Sequence, residues 1–134
     1  MTAQFFADSN VVLYSIGKDP RKAEIARAII ARRPVIGTQV VNEAISVCLR
    51  KLSFARVQAY TFGRAVMDRS EVLAVDEPTL DRAAALAIRY QLSHWDALII
   101  AAAVLGGCDT LYSEDLQHGQ LFEDSLRVMN PFIS

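Results

Sequence analysis

The chain has 134 residues, with 14 Lys and Arg against 15 Asp and Glu and a formal net charge of -1. It is 52% hydrophobic and 22% charged with only 6 Gly and 4 Pro, which excludes a disordered, collagenous or coiled-coil chain and a strongly basic protein that coats nucleic acid. A chain of this length is expected to form one domain, residues 1–134, that buries about two-thirds of its unfolded surface.

The first ten residues, Met1 to Asn10, carry no basic stretch ahead of Asp8. No apolar run approaches the roughly 20 residues that span a bilayer, so neither a signal peptide nor a membrane anchor is expected. Strand-like residues Gln4 to Ala7 run into Asp8-Ser9-Asn10, ahead of apolar Val11 to Tyr14. Asp8 suits a helix N-cap there, and it also stands at the carboxyl end of a strand. Lys22 to Arg32 places Ala23, Ala26, Ile29 and Ile30 on one helical face. A second strand, Pro34 to Gly37, leads to Thr38, a good N-cap, and to a helix over Val40 to Lys51 with Glu43 in an early turn. Phe54 to Met67 reads as a third helix, Val72 to Val75 as a third strand, and Leu80 to Leu92 as a fourth helix.

Ser93-His94-Trp95-Asp96 then fits a capping box, in which Ser93 caps the third amide and the acid reaches back. The segment Trp95 to Leu105 behind it is apolar nearly all round and should pack buried against a sheet. Gly106-Gly107 closes it as a C-cap pair. Strand Thr110 to Tyr112 opens into the loop Ser113-Glu114-Asp115, and Leu126 to Met129 is the fifth strand. Cys48 and Cys108 lie in apolar runs far apart in sequence, as buried small hydrophobes of a reducing cytoplasm do.

Continuously apolar strands alternating with helices predict an α/β domain of three layers, α/β/α, with a central, mainly parallel sheet of about five strands. In such sheets the active site lies beyond the carboxyl ends of the strands, at a topological switch point. Asp8, Glu43, Asp96 and Asp115 each have an ordinary reading as a cap, a solvated helix residue or a turn residue. The topology nevertheless sends all four toward one edge of the sheet. Clustered carboxylates repel and need a compensating cation, and no Lys is suggested nearby. Oxygen-only ligands favour Mg²⁺ or Mn²⁺ over zinc, and such an ion suits phosphodiester hydrolysis.

These residues resemble a family, the PIN-domain ribonucleases, and within it the VapC-type toxins of prokaryotic toxin–antitoxin pairs. Phe6-Ala7-Asp8-Ser9-Asn10-Val11-Val12-Leu13-Tyr14 is similar to the family's opening D-T-N-V-L-V-Y motif, with Ser9 at the commoner Thr. Val41-Asn42-Glu43 resembles the segment of the second acid, His94 to Ala103 the W-D-A-L-I-x-A-A-A motif, and Ser113-Glu114-Asp115-Leu116 the T/S-x-D segment. The likeness runs over residues 4 to 130. It implies a PIN-like α/β fold and a Mg²⁺- or Mn²⁺-dependent endoribonuclease. Asp8, Glu43, Asp96 and Asp115 would be its acidic metal site, and Ser113 would orient metal or water. Glu114 adjoins Asp115 and stands as its alternative. The resemblance also implies a homodimer in the cytoplasm, a cognate antitoxin that covers the acidic groove, and RNA targets such as tRNA or rRNA.

Other polar residues have plainer readings. His94 and His118 read as surface or turn residues, and Phe54, Tyr60 and Phe62 as core or dimer contacts. Arg32-Arg33, Arg50-Lys51, Arg56 and Arg64 read as solvated helix faces, although Arg50 follows Glu43 by two helical turns and can face phosphate. Two competing classes are a catalytically silent PIN-like subunit and a phospho-signalling receiver; the receiver needs a Lys at a late strand end, and no Lys follows Lys51. Removing the four site acids from 15 leaves 11 against 14 bases, so the rest of the chain is modestly basic and suited to meeting RNA at one concentrated site.

Overall fold

The computed structural model describes residues 4–133. In chain order the elements are β1 (Phe5–Ala7), α1 (Ser9–Tyr14), α2 (Pro20–Ala31), β2 (Val35–Gly37), α3 (Thr38–Arg50), α4 (Arg56–Asp68), β3 (Glu71–Leu73), α5 (Glu77–Tyr90), α6 (His94–Leu105), β4 (Thr110–Tyr112), β5 (Leu121–Phe122) and β6 (Leu126–Met129). The sheet order is β3-β2-β1-β4-β6-β5. All neighbours are parallel except β5, which runs antiparallel to β6.

The chain moves outward from β1 through β2 to β3, then returns across the sheet to β4 on the other side of β1. Right-handed crossovers in opposite directions put α1 to α4 on one face and α5 with α6 on the other. Helix α6 lies against β2 and β4. Its Ala97, Ile100, Ala101 and Ala103 are fully buried, as an all-apolar helix requires. The helix stops in a Schellman motif: Gly107 takes a left-handed φ of 71°, its amide bonds Val104 O, and the Cys108 amide bonds Ala103 O.

Three local expectations change. The sheet has six strands instead of five, because β5 is only two residues long. Its turn into β6 places Glu123 and Asp124 at left-handed φ of 51° and 55°. That is the pattern of a type I′ turn, usually announced by Asn-Gly or Asp-Gly, and neither is present. The third strand covers Glu71–Leu73 and ends before Val75, whose amide donates to the Thr38 hydroxyl at 3.1 Å. Thr38 is therefore not the N-cap of α3; Gly37 holds that position without a side-chain bond. Both cysteines are free and buried. Burial, followed by the charges of Asp109 and Glu71, pushes the Cys108 thiol up to about 12. Among the described residues no helix is long and apolar enough to cross a membrane.

Candidate active site

The sheet reverses direction at β1 and β4, which opens a crevice above their carboxyl ends. Ala7 pairs with Tyr112, and the Asp8 amide donates to Tyr112 O at 3.0 Å. Asp8 and Ser113 thus leave the sheet side by side. Asp8 caps α1, with Oδ1 accepting from the Ser9 amide at 2.7 Å. Its other oxygen, Oδ2, accepts from the fully buried Ser113 hydroxyl at 2.9 Å.

Asn10 joins the two strand ends. Its Nδ2 lies 3.4 Å from Asp8 Oδ2 and 3.2 Å from Asp115 Oδ2, while its Oδ1 accepts from the Glu114 amide at 3.2 Å. Ser113 Oγ in turn accepts from the Asp115 amide at 3.2 Å. The loop after β4 is thereby fixed by side chains from β1's exit. Sequence reasoning assigned Asn10 no role of its own. The available signal was its place two residues after Asp8, on the first turn of a helix facing the same crevice.

Asp8 is 8% exposed. Burial pushes its carboxyl up to about 6, against the hydrogen bonds from Ser113 and Ser9, and the charges of Glu43 and Asp115 add to the rise. Glu43 therefore stands near enough to be felt, although it is exposed on α3 and makes no direct bond to Asp8. Asp96 sits in the first turn of α6, where its amide bonds Ser93 Oγ at 3.2 Å. The return bond of the expected capping box is not formed, so the half-buried Asp96 carboxylate is left for other partners. Asp8 and Asp115 are linked through Asn10 and Ser113, Glu43 reaches Asp8 by its field, and Asp96 does neither. Among the described residues no three His, Cys, Asp or Glu side chains close around one point.

A lysine does reach this edge, contrary to expectation. Lys22 of α2 pairs with Glu114 at 2.6 Å, and its ammonium lies 4.5 Å above the Tyr14 ring. The Tyr14 hydroxyl donates to the same Glu114 carboxylate. The Lys22 bond, then that of Tyr14, holds the Glu114 carboxyl below the usual range. Glu114 is thus occupied away from the crevice, whereas its neighbour Asp115 faces Asn10. His118 accepts from the Asn130 amide at 2.9 Å and is a turn residue. A separate apolar cleft of about 340 Å³, lined by Ile16, Ile30, Phe62 and Val66 among others, contains no carboxylate.

The groups brought together at the crevice offer oxygen only, from the Asp8 and Asp115 carboxylates and the Ser113 hydroxyl, with the Glu43 carboxylate within electrostatic reach. Asp8 is buried with no cation among its bonding partners, since Lys22 is spent on Glu114. This is the environment a hard divalent ion relieves, and the residues present fit one. The family model for the PIN domain matches residues 5–121. The chain belongs to the PIN-domain family.

Solved structures of the same PIN fold include a chain of FitAcB from Neisseria gonorrhoeae, with TM-score 0.74, 19% identity, and coverage of 96% of this chain and 99% of that one. A chain of DNA-bound VapBC from Salmonella typhimurium has TM-score 0.71 and 18% identity over 97% and 99%. VapC20 from Mycobacterium tuberculosis, a toxin that cleaves the sarcin–ricin loop, has TM-score 0.67 and 17% identity over 84% and 90%. At these identities the likeness is one of fold. No protein of curated function matches the sequence. The crevice of this PIN domain, at the ends of β1 and β4, lies where a doubly wound sheet places its ligands.

Proposed function

We propose that this PIN domain is a metal-dependent endoribonuclease, the toxin of a type II toxin–antitoxin pair. Asp8, Glu43, Asp96 and Asp115 would hold Mg²⁺ or Mn²⁺. The observation that carries the reading is the bonded set Asp8, Asn10, Ser113 and Asp115, built around a buried carboxylate that lacks a cation. When bound, the ion supplies a water of lowered pKa and neutralises charge on the leaving oxygen. Ser113 fixes the rotamer of Asp8 by donating to Oδ2, which leaves the rest of that carboxylate available to a ligand. Asn10 keeps Asp115 turned toward Asp8, and Asp96 presents an unpaired carboxylate from the rigid first turn of α6.

Support for the biological role comes from the company of the fold. A toxin–antitoxin complex from Klebsiella pneumoniae shares the fold, which favours a cognate antitoxin for this chain, and VapC20 is a toxin that cleaves the sarcin–ricin loop, which favours an RNA target. Homodimerisation and a cytoplasmic location follow the same resemblance. The deciding experiment is cleavage of RNA by purified protein in Mg²⁺ or Mn²⁺, with EDTA and the variants Asp8→Asn and Asp96→Asn as controls. Loss of cleavage under all three controls is expected; activity indifferent to both substitutions overturns the reading. The open spacing of the acids is what favours the silent-subunit alternative. Calorimetry separates the two, because a silent subunit need bind no divalent ion.

A further inference from the structure

Trp95 is the chain's sole tryptophan, and it is 62% exposed although it sits in the first turn of the most apolar helix. An indole left in water at the rim of a site forgoes the free energy of its burial until something covers it. It forms one wall of an open groove of about 430 Å³ whose other walls are Gln39, Asn42, Glu43, Ser46 and Arg50. Along α3 the positions 39, 43, 46 and 50 recur at intervals of three and four, so these side chains form one row on one helical face. The row carries Glu43, an acid of the proposed centre, in its middle.

The groove is built for a polar polymer with flat faces. The Arg50 Nε donates to Ser46 Oγ at 2.8 Å, which lays the guanidinium along the row and leaves its terminal N–H groups unpaired among the described residues. The His94 ring packs edge-on against Trp95 with centroids 5.3 Å apart and steadies the indole. Gln39 and Asn42 supply amide donors and acceptors of the kind that read base edges. Helical rise separates Arg50 from Glu43 by about 10 Å along the axis, so a phosphate held at Arg50 leaves the adjoining stretch of backbone beside Glu43.

We propose that this groove is a single-stranded RNA subsite, in which an unpaired base stacks on Trp95 and a flanking phosphate is held by Arg50. The polymer's identity rests on the nuclease reading; the residues that hold it are read from the groove. An indole can reach a base face only where the base is unpaired, so duplex is excluded from this subsite. Five of the six wall side chains are polar and the sixth is a flat indole, a combination that suits a charged polymer with stacking faces.

The sole tryptophan makes the test direct. Asp8→Asn protein in EDTA is titrated with a labelled, unstructured RNA octamer, reading both indole fluorescence and label anisotropy. Saturable quenching is expected, with affinity weakened about tenfold or more by Trp95→Ala, the size of one lost base stack, and restored by Trp95→Phe. Arg50→Ala should flatten the salt dependence by about one released counterion. Absence of quenching, or affinities unchanged in both Trp95→Ala and Arg50→Ala, overturns the subsite. So does fluorescence that follows protein concentration and ignores RNA, which would make Trp95 a protein contact. Binding is measured without cleavage, so the subsite fails independently of the nuclease reading: cleavage lost in Asp8→Asn with no RNA at Trp95 removes only the subsite.

Discussion

The Ser113 hydroxyl donates to Asp8 Oδ2 across 2.9 Å, and this one bond joins the exits of two parallel strands that lie 105 residues apart in sequence. It also decides how Asp8 is presented. With Oδ1 committed to the cap of α1 and Oδ2 to Ser113, the carboxylate has one orientation and only its outward lone pairs left over.

That confinement has a pH signature. A carboxyl raised to about 6 when folded binds its proton more tightly than in the unfolded chain, so metal-free protein should lose stability as pH rises from about 4 to about 6 and stay lower above that. The full difference is on the order of 3 kcal/mol. Asp8→Asn keeps the cap and removes the charge. In EDTA at pH 7.5 its Tm should exceed that of the parent protein, and the two should converge near pH 4, a comparison read by calorimetry or dye-based melting. Equal melting temperatures at both pH values would contradict the burial cost assigned to Asp8.

Divalent ions should reverse the same penalty. Mg²⁺ or Mn²⁺ at about a hundred times its dissociation constant should stabilise the parent protein by about 2.7 kcal/mol. The gain should shrink toward pH 5, where Asp8 takes up a proton in competition with the ion. Asp96→Asn and Asp115→Asn should each reduce the metal-induced rise in Tm. A rise that is the same in both variants would remove those residues from the ligand set.

The Lys22–Glu114 pair supports the loop that carries Asp115, and it is steadied by the Tyr14 and Phe132 rings beneath the ammonium. Lys22→Met should free Glu114 to swing toward the crevice and add a third acidic charge beside Asp8, after Glu43 and Asp115. The expected result is a lower denaturation midpoint and about tenfold slower cleavage, since small misplacements of site groups are costly. Lys22→Arg should recover part of both. Cleavage at the parental rate in Lys22→Met would show that the loop holds its place without the pair.

Ser93 tests whether α6 fixes Asp96 through its cap. Ser93→Ala removes the acceptor of the Asp96 amide and should cost about 1 kcal/mol in a urea titration. Because Asp96 rides on that turn, cleavage should fall further than the stability loss alone explains, whereas Ser93→Asp should restore both cap and rate.

Most of the strand-and-helix order was readable because the parallel strands are short apolar runs and α2 to α5 keep a 3.6-residue apolar spacing. The buried nature of α6 followed from its having no polar side at all. Strand β5 was not readable, since two residues and a turn of Glu123-Asp124 carry none of the usual punctuation. In the site, the strand-end positions of Asp8 and Asp115 followed from topology, and the capping role of Asp8 is what the structure shows. The contributions of Asn10 and Lys22 were hidden for one reason: each acts through a partner about 90 to 105 residues away, and a single sequence holds no record of who meets whom. The groove of Trp95 was likewise out of reach, because it is assembled from two helices on opposite sides of the chain's midpoint.

The double duty of Asp8 as helix cap and buried acid has an evolutionary consequence. Asn caps a helix as well as Asp does, and it carries no charge to bury. A chain with Asn at position 8 would therefore fold at least as firmly as its parent while losing the acid. If the proposed nuclease harms the cell that makes it, selection can silence it here in one step without creating a misfolded product for proteases to clear. Escape variants at this position should accumulate as full-length, well-folded protein.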